Sequence, residues 1–248
     1  MAAAPRPRIG CAGWSLPRAL QPAFDEGASL LARYASRFSA VEINSSFHRP
    51  HSAATYARWA AAVPADFRFS VKLPRTISHD RRLVDCEAEL SAFLAQAAGL
   101  GERLGPLLVQ LPPSLAFDAA IAQAFFGLLR QGHAGPVAVE PRHASWFTAE
   151  ADALLVSFEM ARVLADPVRH EPGRWPGGDL RHIYLRLHGS PRMYYSAYEP
   201  ALLARLAARM RQAAGEGSQL WCLFDNTAGQ AAAGDALALR AMLEDSAS

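Results

Sequence analysis

The sequence predicts a single (β/α)8 TIM barrel. Three observations carry that expectation. Eight short apolar runs end in polar or charged residues, at 9–14, 40–44, 67–72, 107–110, 137–142, 163–166, 183–188 and 220–225. Helical stretches separate most of them, and such alternation builds a parallel sheet wrapped by helices. The chain is 248 residues long, close to the ~250 residues of one such barrel. One domain spanning 1–248 is expected, with 1–7 as a flexible N-terminus.

Side chains alternate along a strand, so parity sorts each run into two faces. In the second run Val41 and Ile43 oppose Glu42 and Asn44. In the third, Phe69 and Val71 oppose Arg68, Ser70 and Lys72. In the fifth, Val137 and Val139 oppose Ala138, Glu140 and Arg142. In the seventh, Ile183, Leu185 and Leu187 oppose Tyr184, Arg186 and His188; in the eighth, Cys222 and Phe224 oppose Trp221, Leu223 and Asp225. The apolar face must meet the helices, so the other face lines the interior. Stability alone would put Val, Ile and Leu there. This chain instead gathers Glu42, Asn44, Lys72, Gln110, Glu140, Arg142, Asp166, Arg186, His188 and Asp225. Strand C-termini are where the active sites of such barrels lie.

Helices are expected over 28–37, 53–62, 86–99, 118–130, 148–158, 200–214 and 235–243. Asp118, Thr148 with Glu150, and Glu199-Pro200 are start signals, and Gly99, Gly132 and Gly215 are stops. The connection 170–181 carries Pro172, Gly173, Pro176, Gly177 and Gly178, which cannot hold a helix. An irregular, helix-poor crossover is expected there, between strands six and seven.

Composition excludes several classes. Apolar residues make up 51% of the chain and charged residues 19%, enough for a large core. The net charge of +2 gives no general reason to bind nucleic acid or membrane. No apolar stretch approaches the ~18 residues of a membrane span. Cys11, Cys86 and Cys222 lack metal-ligand spacing, so free thiols and the cytoplasm are expected. Among 25 basic residues Lys72 is the only lysine, and it falls on an inward strand end. Lysine can be detuned by burial where arginine cannot. Lys72 therefore reads as an anion anchor, a general base or a Schiff-base amine, against a plain buried pair with Glu140 or Glu42.

The strand-end motifs resemble one family. They are Gly10-Cys11-Ala12-Gly13-Trp14, Val41-Glu42-Ile43-Asn44 with Phe47, and Phe69-Ser70-Val71-Lys72 with Ser78-His79. Next come Val139-Glu140-Pro141-Arg142-His143 with Ser145-Trp146, then Tyr184-Leu185-Arg186-Leu187-His188-Gly189, then Phe224-Asp225-Asn226. In this order they are similar to the YecE-like family of TIM-barrel proteins, a domain-of-unknown-function family. The resemblance implies the barrel and supplies no reaction. His48 departs from it, standing where the resemblance leads one to expect tyrosine.

The density of inward ionisable residues favours an enzyme acting by acid–base chemistry on a small anionic substrate, a phosphorylated sugar or nucleotide-like molecule. The catalytic candidates are Glu42, Lys72, Glu140, His188 and Asp225. The substrate-binding candidates are Trp14, Asn44, Phe47, His79, Arg142, His143, Trp146, Arg186, Tyr194 and Asn226. A second reading is a non-catalytic binder of phosphate ligands or nucleic acid, which the near-neutral charge disfavours. A third is a metal-dependent isomerase or hydrolase using Glu140, Asp166, His188 and Asp225, against which Arg142 and Arg186 place fixed positive charge. No metal site is assigned, and neither a cofactor nor an oligomeric state follows from the sequence.

Overall fold

The computed structural model describes residues 5–244. The expected flexible N-terminus, 1–7, lies outside the described residues as far as residue 4. The first half of the chain runs β1 (Arg8–Cys11), α1 (Leu30–Ala35), β2 (Ala40–Ile43), α2 (Ala53–Ala61), β3 (Arg68–Lys72), α3 (Glu87–Ala97), β4 (Leu104–Gln110) and α4 (Ala119–Gly132). The second half runs β5 (Val137–Glu140), α5 (Ala149–Ser157), β6 (Met160–Arg162), β7 (Leu164–Asp166), β8 (Gly177–Gly178), β9 (His182–Leu187), α6 (Pro200–Gly215), β10 (Gln219–Phe224) and α7 (Ala232–Glu244).

The strands form two sheets, ordered β1-β10-β9-β7 and β2-β3-β4-β5-β6-β8. Pairing is parallel throughout, apart from the two-residue β8, which runs antiparallel to β6. The sheets approach each other at two places. The chain from β6 to β7 leaves one sheet for the other at Val163, whose N–H still reaches Val139 O at 2.9 Å. At the opposite junction Ala12 bridges Glu42 in parallel sense, and Gly13 N–H donates to Glu42 O at 2.9 Å.

Sequence chemistry explains the helix starts. Ser29, Ser52, Asp118 and Thr148 each accept a backbone N–H three residues on, at the head of α1, α2, α4 and α5. Gly10 allows β1 to pack against β2: a Cβ there would lie 1.9 Å from Ala40 O. Tyr34 of α1 completes that contact, its hydroxyl donating to Ala40 O and accepting from Cys11 N–H.

Seven α-helices occur among the described residues, and the crossover after β7 holds only a single 3-10 turn, Glu171–Arg174, and β8. The helix-poor connection expected from its prolines and glycines is therefore present. Its consequence is a hollow beside the sheet. A cavity of about 670 Å³ runs over Leu164, Ile183, Leu185 and Leu220, walled by α6 and by Trp175 of the crossover.

The remaining outward strand residues, Val41, Ile43, Phe69, Val71, Val137 and Val139 among them, join the helices in one large apolar cluster. A smaller cluster gathers the other face: Ala40, Leu108, Ala138, Val163, Tyr184, Trp221 and Leu223. By parity these share a face with Glu42, Gln110, Glu140, Arg186 and Asp225, lying toward the strand N-termini. They form the apolar floor on which the charged residues stand.

Candidate active site

Arg186 sits at the centre of the polar face and is 0% exposed. Its Nε and Nη2 donate to the two oxygens of Glu42 at 2.9 and 2.6 Å. Its Nη1 donates to Glu140 Oε2 at 2.6 Å, and Nη2 also reaches Asp225 Oδ2 at 2.9 Å. Glu42 accepts a further bond from the Tyr184 hydroxyl at 3.0 Å. Glu140 Oε1 pairs with Arg142 Nη2. Four strands, β2, β5, β9 and β10, thus supply or immediately precede one buried lattice of charge-assisted bonds.

The lattice sets the state of its members. Burial alone would push the Glu140 carboxyl up, but Arg186 and then Arg142 hold it well below the usual carboxylate range. Asp225 is likewise lowered against its burial by Arg186 and His188. Guanidinium nitrogens only donate, and Arg142 Nη2 lies 2.9 Å from His188 Nε2. The same Nε2 stands 3.2 Å from Glu140 Oε1, and the other ring nitrogen, Nδ1, faces Asp225 Oδ2 at 3.1 Å.

Lys72 stands apart from this lattice. It is 6% exposed, yet among the described residues it makes neither a hydrogen bond through its ammonium nor an ion pair. Its Nζ lies 4.0 Å from the centroid of the Phe47 ring. Burial, with Arg186 adding to it and Glu42, Glu140 and Asp225 opposing, brings the ammonium down to about 8. Arg142 and Arg186 face Glu42, Glu140 and Asp225, so Lys72 compensates the remaining negative charge from a distance without touching it. The buried Lys72–Glu140 or Lys72–Glu42 pair weighed from the sequence does not form.

The surrounding loops divide into groups that face this residue and groups that do not. Phe47 meets the His79 ring edge-on at 4.9 Å. His79 is held by Ser78 Oγ at 2.9 Å within a single π-helical turn, Thr76–Asp80. Burial and the neighbouring Lys72 lower its pKa. Ser46 anchors the loop after β2 to the end of β3, donating to Lys72 O at 2.6 Å. Tyr194, half-exposed, stands edge-on to His188 at 5.6 Å between centroids. Asn44 Oδ1, Arg142 Nε and Asn226 Oδ1 are buried without a partner; such groups are what a ligand satisfies.

Other sequence candidates have different duties. Glu42, Glu140 and Arg186 are fully buried, with both carboxylates bound at both oxygens. They form a buried platform in which each carboxylate oxygen and each guanidinium nitrogen of Arg186 is already bonded. Trp146 is 1% exposed, packs on Phe117 and Phe126, and donates its indole N–H to Leu115 O. It is core. His143 caps the 3-10 turn Ala144–Trp146 by accepting from Ser145 N–H. Trp14 packs against Trp59 of α2 at 5.1 Å. Asn226 Nδ2 braces Ser196 O and Asp235. Asp166, one of the four residues of the metal reading, instead accepts from the Tyr198 hydroxyl at 2.8 Å. Among the described residues no group of three His, Cys, Asp or Glu is arranged to hold a metal ion. Tyr184 and Ser70, bonded to each other at 2.7 Å, were not among the sequence candidates although parity placed both inside.

A family profile described as "Protein of unknown function DUF72" matches residues 8–248. The chain belongs to the DUF72 family. The DUF72 assignment agrees with curated relatives. The chain is 34% identical to UPF0759 protein YecE of Escherichia coli K12 over 104 residues, 42% of this chain and 37% of that protein. That match spans little more than a third of the YecE length. It is 26% identical to UPF0759 protein YunF of Bacillus subtilis over 197 residues, 73% of this chain and 69% of that one. A crystal structure of a DUF72 family protein from Enterococcus faecalis V583 superposes with a TM-score of 0.80 at 22% identity, covering 96% of both chains. That likeness fixes a mixed α/β fold built on parallel strands. No helix among the described residues is long and apolar enough to cross a membrane.

Proposed function

We propose that this DUF72 protein is an enzyme acting by acid–base chemistry on a small anionic substrate, at the end of the polar face where the strands finish. The Val163 crossover and the Ala12–Glu42 bridge support joining the two sheets into one single-domain (β/α)8 barrel, and the free, buried Cys11, Cys86 and Cys222 support a cytoplasmic setting. One observation carries the functional reading. Among the described residues Lys72 is buried at a strand end with no anionic partner of its own, while Glu42, Glu140 and Asp225 are each held by another cation or by His188. An unpaired buried cation costs stability, so its retention calls for a ligand. In this reading Lys72 and Arg142 receive the anion, Asp225 and His188 move and position protons, and Phe47, His79 and Tyr194 enclose the substrate. A lattice serving stability alone would have enclosed Lys72 in it.

The test is thermal unfolding with inorganic phosphate and simple sugar phosphates. The expected result is a concentration-dependent rise in Tm that Lys72→Met removes. The absence of any anion-dependent rise refutes the reading.

A further inference from the structure

We propose that Lys72 acts as a nucleophile, forming an imine with a substrate that carries both a carbonyl and an anionic group. This rests on the anionic-substrate reading above and adds the covalent chemistry.

The geometry supplies what an imine-forming amine needs. Among the described residues Nζ is free of ion pairs, so no carboxylate must be displaced before attack. It lies 4.0 Å from the centroid of the Phe47 ring, which covers one side of the amine. Arg186, locked behind it by three carboxylates, is a fixed like charge that cannot move away. These features agree with an amine brought to about 8. At pH 7 about a tenth of such amines are neutral, against about three in ten thousand for an ordinary lysine.

Two further groups complete the site. Asp225 is 7% exposed, and only its Oδ2 is engaged, by Arg186 and His188; Oδ1 has no bond among the described residues. Its charge is felt by Lys72. Arg142 Nε is a buried donor without a partner, suited to the substrate's phosphate or carboxylate.

The step balances. The neutral Nζ lone pair attacks the carbonyl carbon, the C–N bond forms, and the C–O π pair moves to oxygen. Asp225 Oδ1 takes a proton from nitrogen and returns it to that oxygen. The proton that the ammonium gave up before attack returns to the hydroxyl through Asp225, the C–O bond breaks with its electron pair leaving on water, and the nitrogen lone pair closes the C=N bond of a protonated imine. Overall, a carbonyl and an ammonium give an iminium and one water, with no oxidant or reductant. The iminium withdraws electrons from the adjacent carbon, the entry to lyase or isomerase chemistry.

A single lysine makes the experiment clean, because only the N-terminal amine competes. The protein is incubated with glycolaldehyde phosphate or with glycolaldehyde and reduced with sodium cyanoborohydride. Adducts are located by intact mass and peptide mapping. We expect one stable adduct on Lys72, formed at concentrations at least tenfold lower for the phosphorylated aldehyde, with labelling rising through a midpoint near pH 8. Lys72→Arg should lose the adduct and keep the phosphate-dependent rise in Tm. Arg142→Met should erase the tenfold preference for the phosphorylated aldehyde. Modification confined to the N-terminus overturns the proposal, as does Lys72 labelling with no preference for the phosphorylated aldehyde. If phosphate still stabilises the protein through Lys72 while no imine is trapped, the imine falls and the anion site stands. If neither is seen, both fall.

Discussion

Replacing Arg186 with methionine is the sharpest test of how the charged platform is held. The substitution keeps the length of the chain and removes a cation that serves three carboxylates. Glu140 retains Arg142 and Asp225 retains His188, but Glu42 is left with the Tyr184 hydroxyl alone. Stripping one partner from a buried pair costs about 3–5 kcal/mol. Set against a total of about 5–15 kcal/mol for a folded domain, that is a large fraction. The loss must depend on pH, and its sign follows from Glu140. Arg186 holds that carboxyl well below its unfolded value, so its contribution is fully present above the unfolded pKa of about 4.3 and is lost as pH falls through the folded value. Without Arg186 the carboxyl can take up a proton on acidification, and the gap between variant and parent narrows. Urea unfolding followed by circular dichroism at pH 7.5 and pH 3.5 measures both gaps, provided the m-value is unchanged. Adding Glu42→Gln to Arg186→Met should recover about 2 kcal/mol, since the stranded charge goes with it. A loss below about 1 kcal/mol at pH 7.5, or one as large at pH 3.5, refutes the account of the lattice.

Other outcomes follow from single residues. Lys72→Met should stabilise the protein at pH 7. The ammonium is shifted from 10.5 to about 8 by folding, which at ~1.4 kcal/mol per unit corresponds to about 3 kcal/mol. Because the folded pKa is the lower one, that cost is full below pH 8 and fades toward pH 10.5, so the Tm advantage should fade with it; a destabilised Lys72→Met at pH 7 contradicts this. Gly10→Ala would drive a Cβ to 1.9 Å from Ala40 O, and its Tm should fall by the equivalent of about 1–3 kcal/mol or more as β1 shifts from β2. Tyr184→Phe removes the hydroxyl that bonds to Glu42 and to Ser70, and chemical denaturation should show a loss of about 1–3 kcal/mol.

Strand parity made much of the site legible. Period-two alternation placed Glu42, Glu140, Arg186, His188 and Asp225 on one face, and they bond to one another there. The seven helices and the broken crossover were legible from caps, stops and a run of proline and glycine. What parity cannot give is who pairs with whom. It could not show that Arg186 would claim three carboxylates and leave Lys72 alone, because that depends on the distances across the sheets. Nor could it separate Trp146, buried in the core, from Tyr194, which stands half-exposed at the rim. Both follow strand ends, and only packing decides between them. The segment 163–166 read as one strand is the end of a longer path that begins at Met160 and changes sheets at Val163. The short stretch Val163-Leu164-Ala165 carries no mark of such a change of neighbour. Ser46, which ties the β2 loop to β3, had no signal at all.

The lattice around Arg186 also has a history in time. Glu42 and Arg186 are 144 residues apart in the chain, and Asp225 follows 39 residues later. At about 5–20 residues per second, a ribosome takes roughly 7–30 s to deliver Arg186 after Glu42. During that interval the glutamate can only be hydrated or wrongly paired, and its strand cannot be sealed. Contacts this distant in sequence slow folding, because chain entropy is lost before they reward it. The step that dehydrates these charges is therefore among the last in the life of the nascent chain, and no fragment ending before Asp225 can complete it.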